Sequence, residues 1–226
     1  MSYSTVCRVL AVAVTALWMA RAQAPSGDLM AQMQAFSKAL GVSCNYCHTA
    51  ERGSGQPEPK KDIARAMMAM TRDINTKIAA AVGHEPGAAR VECVTCHRGV
   101  AIPEQLSEII TRTLNEKGVA AAAAQYRDLH KRYYGRDSYD FGEETLLAIA
   151  QRLAASRPDD AIALAQLNLE FHPRSAQSYA AIAYAYTRKL DDAAAITNLE
   201  KALEIDPENG VIRGQLEQLK SYHRKK

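Results

Sequence analysis

Aromatic residues are scarce in this chain, at 6%, with a single tryptophan. Alanine is abundant instead, and no strand-rich region is visible, so the composition favours an all-α fold. Neither sign of charge dominates: the formal net charge is +3 over 226 residues. No long basic run interleaves with aromatics, which excludes a nucleic-acid partner. Long apolar runs are missing too. Residues 9–20 form an apolar run of 12, too short to cross a bilayer comfortably, and no later stretch reaches the length of a span. The chain length allows one or two domains. Cysteine is sparse, at five residues, and four of the five fall in pairs.

The apolar run at the start reads as part of a secretory signal. Arg8 supplies the positive charge before it, and Ala20-Arg21-Ala22 is a small-x-small cleavage site. A signal over residues 1–22 makes Gln23 the first mature residue; an uncleaved N-terminal anchor is the alternative. Cleavage removes Cys7, Arg8 and Arg21, taking the formal charge from +3 to +1. The mature chain is then expected to be exported, periplasmic and without a membrane span.

The remaining cysteines all lie in one pattern that occurs twice: Cys44-Asn45-Tyr46-Cys47-His48 and Cys93-Val94-Thr95-Cys96-His97. Cys-x-x-Cys-His is the attachment pattern for c-type haem. Two thiols add across the vinyl groups of the porphyrin, and the adjacent histidine binds the iron. The two-residue gap places both sulfurs on one side of a single helical turn. Two copies imply two covalently held haems, with His48 and His97 as proximal ligands, and hence electron chemistry. Zinc ribbons and redox disulfides also use Cys-x-x-Cys pairs. A ribbon wants its second pair about 15–20 residues after the first, and Cys47 and Cys93 are much further apart. A redox disulfide would sit near a βαβ pattern, which is not seen. Neither alternative explains a histidine after the second cysteine in both copies.

Methionines supply the sixth ligands in this reading. Residues 28–40 form an amphipathic helix with Leu29, Met33, Phe36 and Leu40 on one face, stopped by Gly41 in the left-handed position. Met33 lies on that face and Met30 off it. Residues 61–81 form a second helix, with Ile63, Met67, Met70, Ile74 and Ile78 on one face and Met68 elsewhere. A methionine stripe is ordinarily core packing, but beside a five-coordinate haem iron a thioether is a common sixth ligand that raises the reduction potential. Met33 is assigned to the first haem and Met70 to the second, with Met67 and the loop residue His84 as competitors. His130, His172 and His223 read as surface residues.

The run from Leu40 through Gly41-Val42-Ser43 to the first motif resembles the cytochrome c subunit of photosynthetic reaction centres. So do residues 64–75 and Val94-Thr95-Cys96-His97-Arg98-Gly99. The resemblance covers roughly residues 28–100, with helix, motif, loop, methionine-rich helix and second motif in the same order. In that family an axial methionine is carried by a helix, followed by a turn and the haem-binding helix. This implies Met33 and Met70 as distal ligands. The family's chain carries four haems and also uses a histidine shortly before one motif, near the place of His84. With only two motifs here, the resemblance implies haem geometry and electron transfer rather than photosynthesis.

After residue 102 the composition changes. Residues 104–116 and 119–133 read as a helical hairpin, and residues 136–141 as a polar linker. A repeat follows. Tyr179, Ile182, Ala183, Tyr186, Ala195, Leu199, Ala202 and Pro207 fit the tetratricopeptide pattern, and Pro173 lies 34 residues before Pro207, the period of that repeat. The earlier repeat is degenerate over residues 143–155, and residues 208–220 read as a capping helix. The expected organisation is a signal (1–22), a two-haem domain (23–102), a hairpin with linker (103–139) and a repeat domain (140–226). Such repeats commonly present a concave protein-binding surface; a spacer or self-association contact is the plain alternative. The chain as a whole reads as an exported carrier relaying single electrons between redox partner proteins. A two-haem peroxidase and an assembly module with structural haems are the other readings.

Overall fold

The computed structural model describes residues 26–49, 56–83 and 88–223, so the signal segment, Cys7 and His84 lie outside the described residues. Every regular element among the described residues is helical. The chain divides into two compact units, with the boundary between Pro103 and Glu104.

The first unit contains α1 (Ser26–Leu40), a single 3₁₀ turn (Cys44–Tyr46), α2 (Pro59–Val82) and the short α3 (Cys93–His97). Among its described residues only Ala39 and Val100 are buried, at 4% and 7% exposure. The expected apolar stripe of α2 is present but not covered by protein: Ile63, Met67 and Met70 are all exposed.

The second unit is a stack of seven helices: α4 (Leu106–Lys117), α5 (Val119–Tyr133), α6 (Glu143–Leu153), α7 (Pro158–Phe171), α8 (Ala176–Arg188), α9 (Asp192–Ile205) and α10 (Gly210–His223). The short loops make neighbouring helices antiparallel. Helices also pack on the next but one, α4 on α6, α5 on α7 and α6 on α8, so the hairpin and the first repeat share a core that one face of α8 joins. Leu106, Ile109, Ile110 and Leu114 recur at helical spacing on α4 and are all buried. Gly118, at φ +83, ends α4 and lets α5 start immediately. On α8, Ala181, Ile182 and Ala185 join the larger core, while Ala176 and Ala183 join a smaller one with Ala195, Leu199 and Ala202. The small residues permit close helix approach, and Tyr179, Tyr186 and Leu199 fill the seam.

Helix ends follow their local chemistry. Ser175 caps α8 by accepting from the Ser178 N–H at 2.9 Å, and Asp191 caps α9 by accepting from Ala194 at 3.0 Å. Pro158 opens α7, with Asp159 and Asp160 in its positive first turn. Asn168 occupies the position that Ala202 fills one period later. It is fully buried and donates to Ser178 Oγ at 2.8 Å, and Ser175 Oγ donates in turn to the Glu143 carboxylate at 2.5 Å. The first repeat thus exchanges a small residue for a polar tie joining α6, α7 and α8.

Two expectations change here. Residues 136–141 are not a purely polar linker, because Phe141 is buried and Tyr139 packs against the core. Phe141 meets Tyr126 and His130 edge-on, with ring centroids 5.7 and 5.0 Å apart. His130 is also not a surface residue. Its ring lies 4.3 Å from those of Tyr134 and Phe171, and His172 bonds through Nε2 to the Phe141 carbonyl at 3.1 Å. Two of the chain's three phenylalanines meet in this cluster. Burial raises the Tyr126 hydroxyl to about 12, with help from the Asp140 charge.

Phe141→Ala is expected to cost about 3–5 kcal/mol, the usual range for an aromatic removed from a core, as read by chemical denaturation. Burial, and then the neighbouring His172, hold the His130 imidazole below its ordinary 6.5. Its folded form therefore prefers the neutral ring. That contribution to stability is fully present above about pH 6.5 and is lost as the pH falls through the lower folded value. Melting curves across pH 5–7.5, about the unperturbed histidine value, should show this acid loss reduced in His130→Phe.

Candidate functional site

The first motif follows directly from the way α1 stops. The Val42 N–H donates to the Ser37 carbonyl at 3.1 Å, and the Gly41 N–H to that of Lys38 at 3.3 Å. With Gly41 at φ +65 this is a Schellman stop. Ser43 is extended, and the chain then closes one tight turn in which the Cys47 and His48 N–H groups both donate to the Cys44 carbonyl, at 3.3 and 3.0 Å. Cys44 and His48 are exposed, and Cys47 is half-buried. Lys60, in the first turn of α2, sets its Nζ 3.6 Å from the centre of the Tyr46 ring inside the motif.

The second motif is more tightly built. Glu92 and Thr95 form a reciprocal capping box at the start of α3, with the Glu92 N–H donating to Thr95 Oγ1 at 3.0 Å. Arg98 and Gly99 then both take positive φ, at +47 and +87. This reversal brings the Val100 carbonyl to 3.0 Å from His97 Nδ1. A carbonyl can only accept, so Nδ1 carries the proton and Nε2 is left with its lone pair. That is the tautomer a metal-ligating histidine needs.

Two further ties hold these segments. The Gly99 N–H donates to the Ala39 carbonyl at the end of α1, at 2.8 Å. From the middle of α2, Asn75 clips the strand-like lead into the second motif. Its amide donates to the Val91 carbonyl and accepts from the Val91 N–H, both at 2.8 Å. No sequence periodicity signals either tie; the only hint is a glycine flanking each motif.

The predicted distal residues lie where the helices were expected. Met33 is half-buried on α1, with Met30 exposed. On α2, Met67 and Met70 are 41% and 47% exposed. His84 is outside the described residues. Among the described residues, no three groups from His, Cys, Asp and Glu converge on a common metal position. The four thiols are not gathered as a tetrahedral zinc site requires. Each Cys-x-x-Cys-His motif instead offers paired thiols, an adjacent imidazole and nearby apolar and thioether surface, a donor set that fits a covalently held porphyrin.

Comparisons with known proteins point the same way. Residues 29–147 match the family described as photosynthetic reaction centre cytochrome C subunit. The chain is 36% identical over 73 residues to a cytochrome c-554 of Chloroflexus aurantiacus, covering 32% of this chain and 17% of that protein. It is 38% identical over 63 residues to a photosynthetic reaction center cytochrome c subunit of Rubrivivax gelatinosus, covering 28% of this chain and 16% of that subunit. The matched segment thus spans only about a sixth of either relative's length.

Asn75→Ala removes both bonds to Val91 and should destabilise the first unit by about 1–3 kcal/mol. Hydrogen exchange is expected to rise in residues 88–92 before it rises in the second unit.

Proposed function

Because the chain belongs to the photosynthetic reaction centre cytochrome c subunit family, we propose that it is an exported c-type cytochrome with two covalently attached haems. It relays single electrons between redox partner proteins. When bound, each haem supplies an iron that changes oxidation state by one electron without making or breaking bonds to substrate.

The residues of this chain do the rest. Cys44 and Cys47 hold the first porphyrin, and Cys93 and Cys96 the second. His48 and His97, with Met33 and Met70, would ligate the two irons. Thioether ligation on the distal side favours the reduced state and raises the potential. The His97–Val100 bond fixes the imidazole ring in orientation and tautomer. Among the described residues His48 has no bond of that kind, so the two irons are expected to differ in potential.

The observation that carries this reading is the first unit's lack of a protein core. Only Ala39 and Val100 are buried among its described residues, while Ile63, Met67 and Met70 on α2 present apolar surface. A unit this small ordinarily needs a metal, a cofactor or disulfides to hold a shape. Two porphyrins would cover this surface.

The second unit, read as tetratricopeptide-like, docks a protein partner or a second copy of the chain. Its helices match the expected small-residue seams, and no helix among the described residues is long and apolar enough to cross a membrane.

A redox-titrated optical spectrum of the purified holoprotein tests the proposal. Two covalent haems and two one-electron steps are expected; a protein that retains no haem after denaturing extraction sinks it. Cys96→Ser should weaken attachment at one site and Met70→Ala should lower one potential while leaving the other step in place. Removing residues 104–226, a cut that spares the hairpin's shared core from being split, should leave both redox steps intact and abolish partner binding.

A further inference from the structure

A close backbone approach in the first unit joins the segments that flank the two motifs. Gly41 lies three residues before Cys44, and Gly99 two residues after His97. A Cβ at Gly41 would fall 2.0 Å from the Gly99 carbonyl oxygen and 2.8 Å from its carbon. The obstacle is backbone, not a side chain that can swing away. It is held there by the Gly99 N–H donating to Ala39 at 2.8 Å and by the positive φ of both Arg98 and Gly99. Ala39 and Val100, which flank the contact, are the buried residues of this unit.

Gly83 shows what glycine does without such a contact. It also has positive φ, at +85, and ends α2, yet a Cβ there meets nothing within 4 Å. Left-handed geometry alone therefore explains Gly83, whereas Gly41 needs glycine for its geometry and for the space its neighbour occupies.

We propose that Gly41 and Gly99 are positioning residues for a haem pair: their backbone contact sets the spacing between the two Cys-x-x-Cys-His motifs and so the coupling between the two haems. The proposal rests on the two-haem reading above. Among the described residues α1 also packs on α3, and α2 adds the Lys60–Tyr46 contact and the Asn75–Val91 bonds. A side chain at Gly41 must push the second motif away from the end of α1. Neither glycine touches a haem-attaching sulfur, so the effect is on spacing rather than on attachment.

The test uses the full-length holoprotein. Asparagine tolerates the left-handed turn at Gly41 far better than other residues with a Cβ, so Gly41→Asn isolates the clash; Gly83→Asn, at φ 85 and ψ −179, carries backbone strain without a clash and controls for strain alone. Haem content is read first from the alkaline pyridine spectrum. A wild-type count below two overturns the functional reading, and this inference with it, before any variant is made. With two haems, wild type should show a two-signed Soret circular dichroism band from the coupled pair, and its absence overturns the spacing proposal while leaving the carrier reading intact. Gly41→Asn should retain two haems and lose the two-signed band, with Gly83→Asn like wild type. An unchanged band in Gly41→Asn, or the same loss in Gly83→Asn, overturns the proposal. Should Gly41→Asn not fold, the wild-type band still decides it.

Discussion

The first unit depends on a constraint of small size. Among its described residues only Ala39 and Val100 are fully buried, so burial within the protein does little to define its shape. What defines it is a short set of directional ties: the stop of α1 at Gly41, the reversal at Arg98 and Gly99, the Ala39–Gly99 bond and the Asn75–Val91 pair. Each fixes backbone rather than side chain. A framework of that kind suits a protein whose interior is to be filled by a rigid planar group, because it holds attachment points without occupying the space between them.

The second unit obeys the opposite rule. Several of its aromatic residues are gathered around Tyr126, Phe141 and Phe171, and its alanines let helices approach closely along the stack. Surface ion pairs such as Arg127–Glu170, at 2.6 Å, and Lys220–Glu200, also at 2.6 Å, link successive layers. Exposed pairs of this kind contribute little energy; the stack is held by burial. The two units therefore differ in what a substitution does. In the stack it is felt as lost packing, and in the first unit as lost orientation.

The two haem motifs also differ from each other in their local support. The second has a capped helix, a paired left-handed reversal and a histidine whose Nδ1 proton is committed to Val100. The first rests on a single tight turn and the cation of Lys60 over Tyr46. In the two-haem carrier proposed above, identical attachment chemistry in unlike frames would separate the two potentials, because orientation and hydrogen bonding of a ligating histidine tune the iron.

Much was legible in the sequence. Helix periods placed α1, α2, α4, α5, α6 and α10 to within a few residues, because apolar spacing and stop signals such as Gly41 and Gly118 act locally; the repeat pattern alone stood for the three helices between α6 and α10. The Cys-x-x-Cys-His pattern and the 34-residue offset are likewise local chemistry repeated along the chain. Contacts between distant residues were not legible. The burial of Phe141, the enclosure of His130 among aromatic rings, and Asn168 in the place of an alanine arise only when helices separated in sequence are brought together. The same holds for Gly41 against Gly99. A glycine announces that its backbone can turn, but which backbone will lie against it is decided by the fold, since the obstacle belongs to another part of the chain.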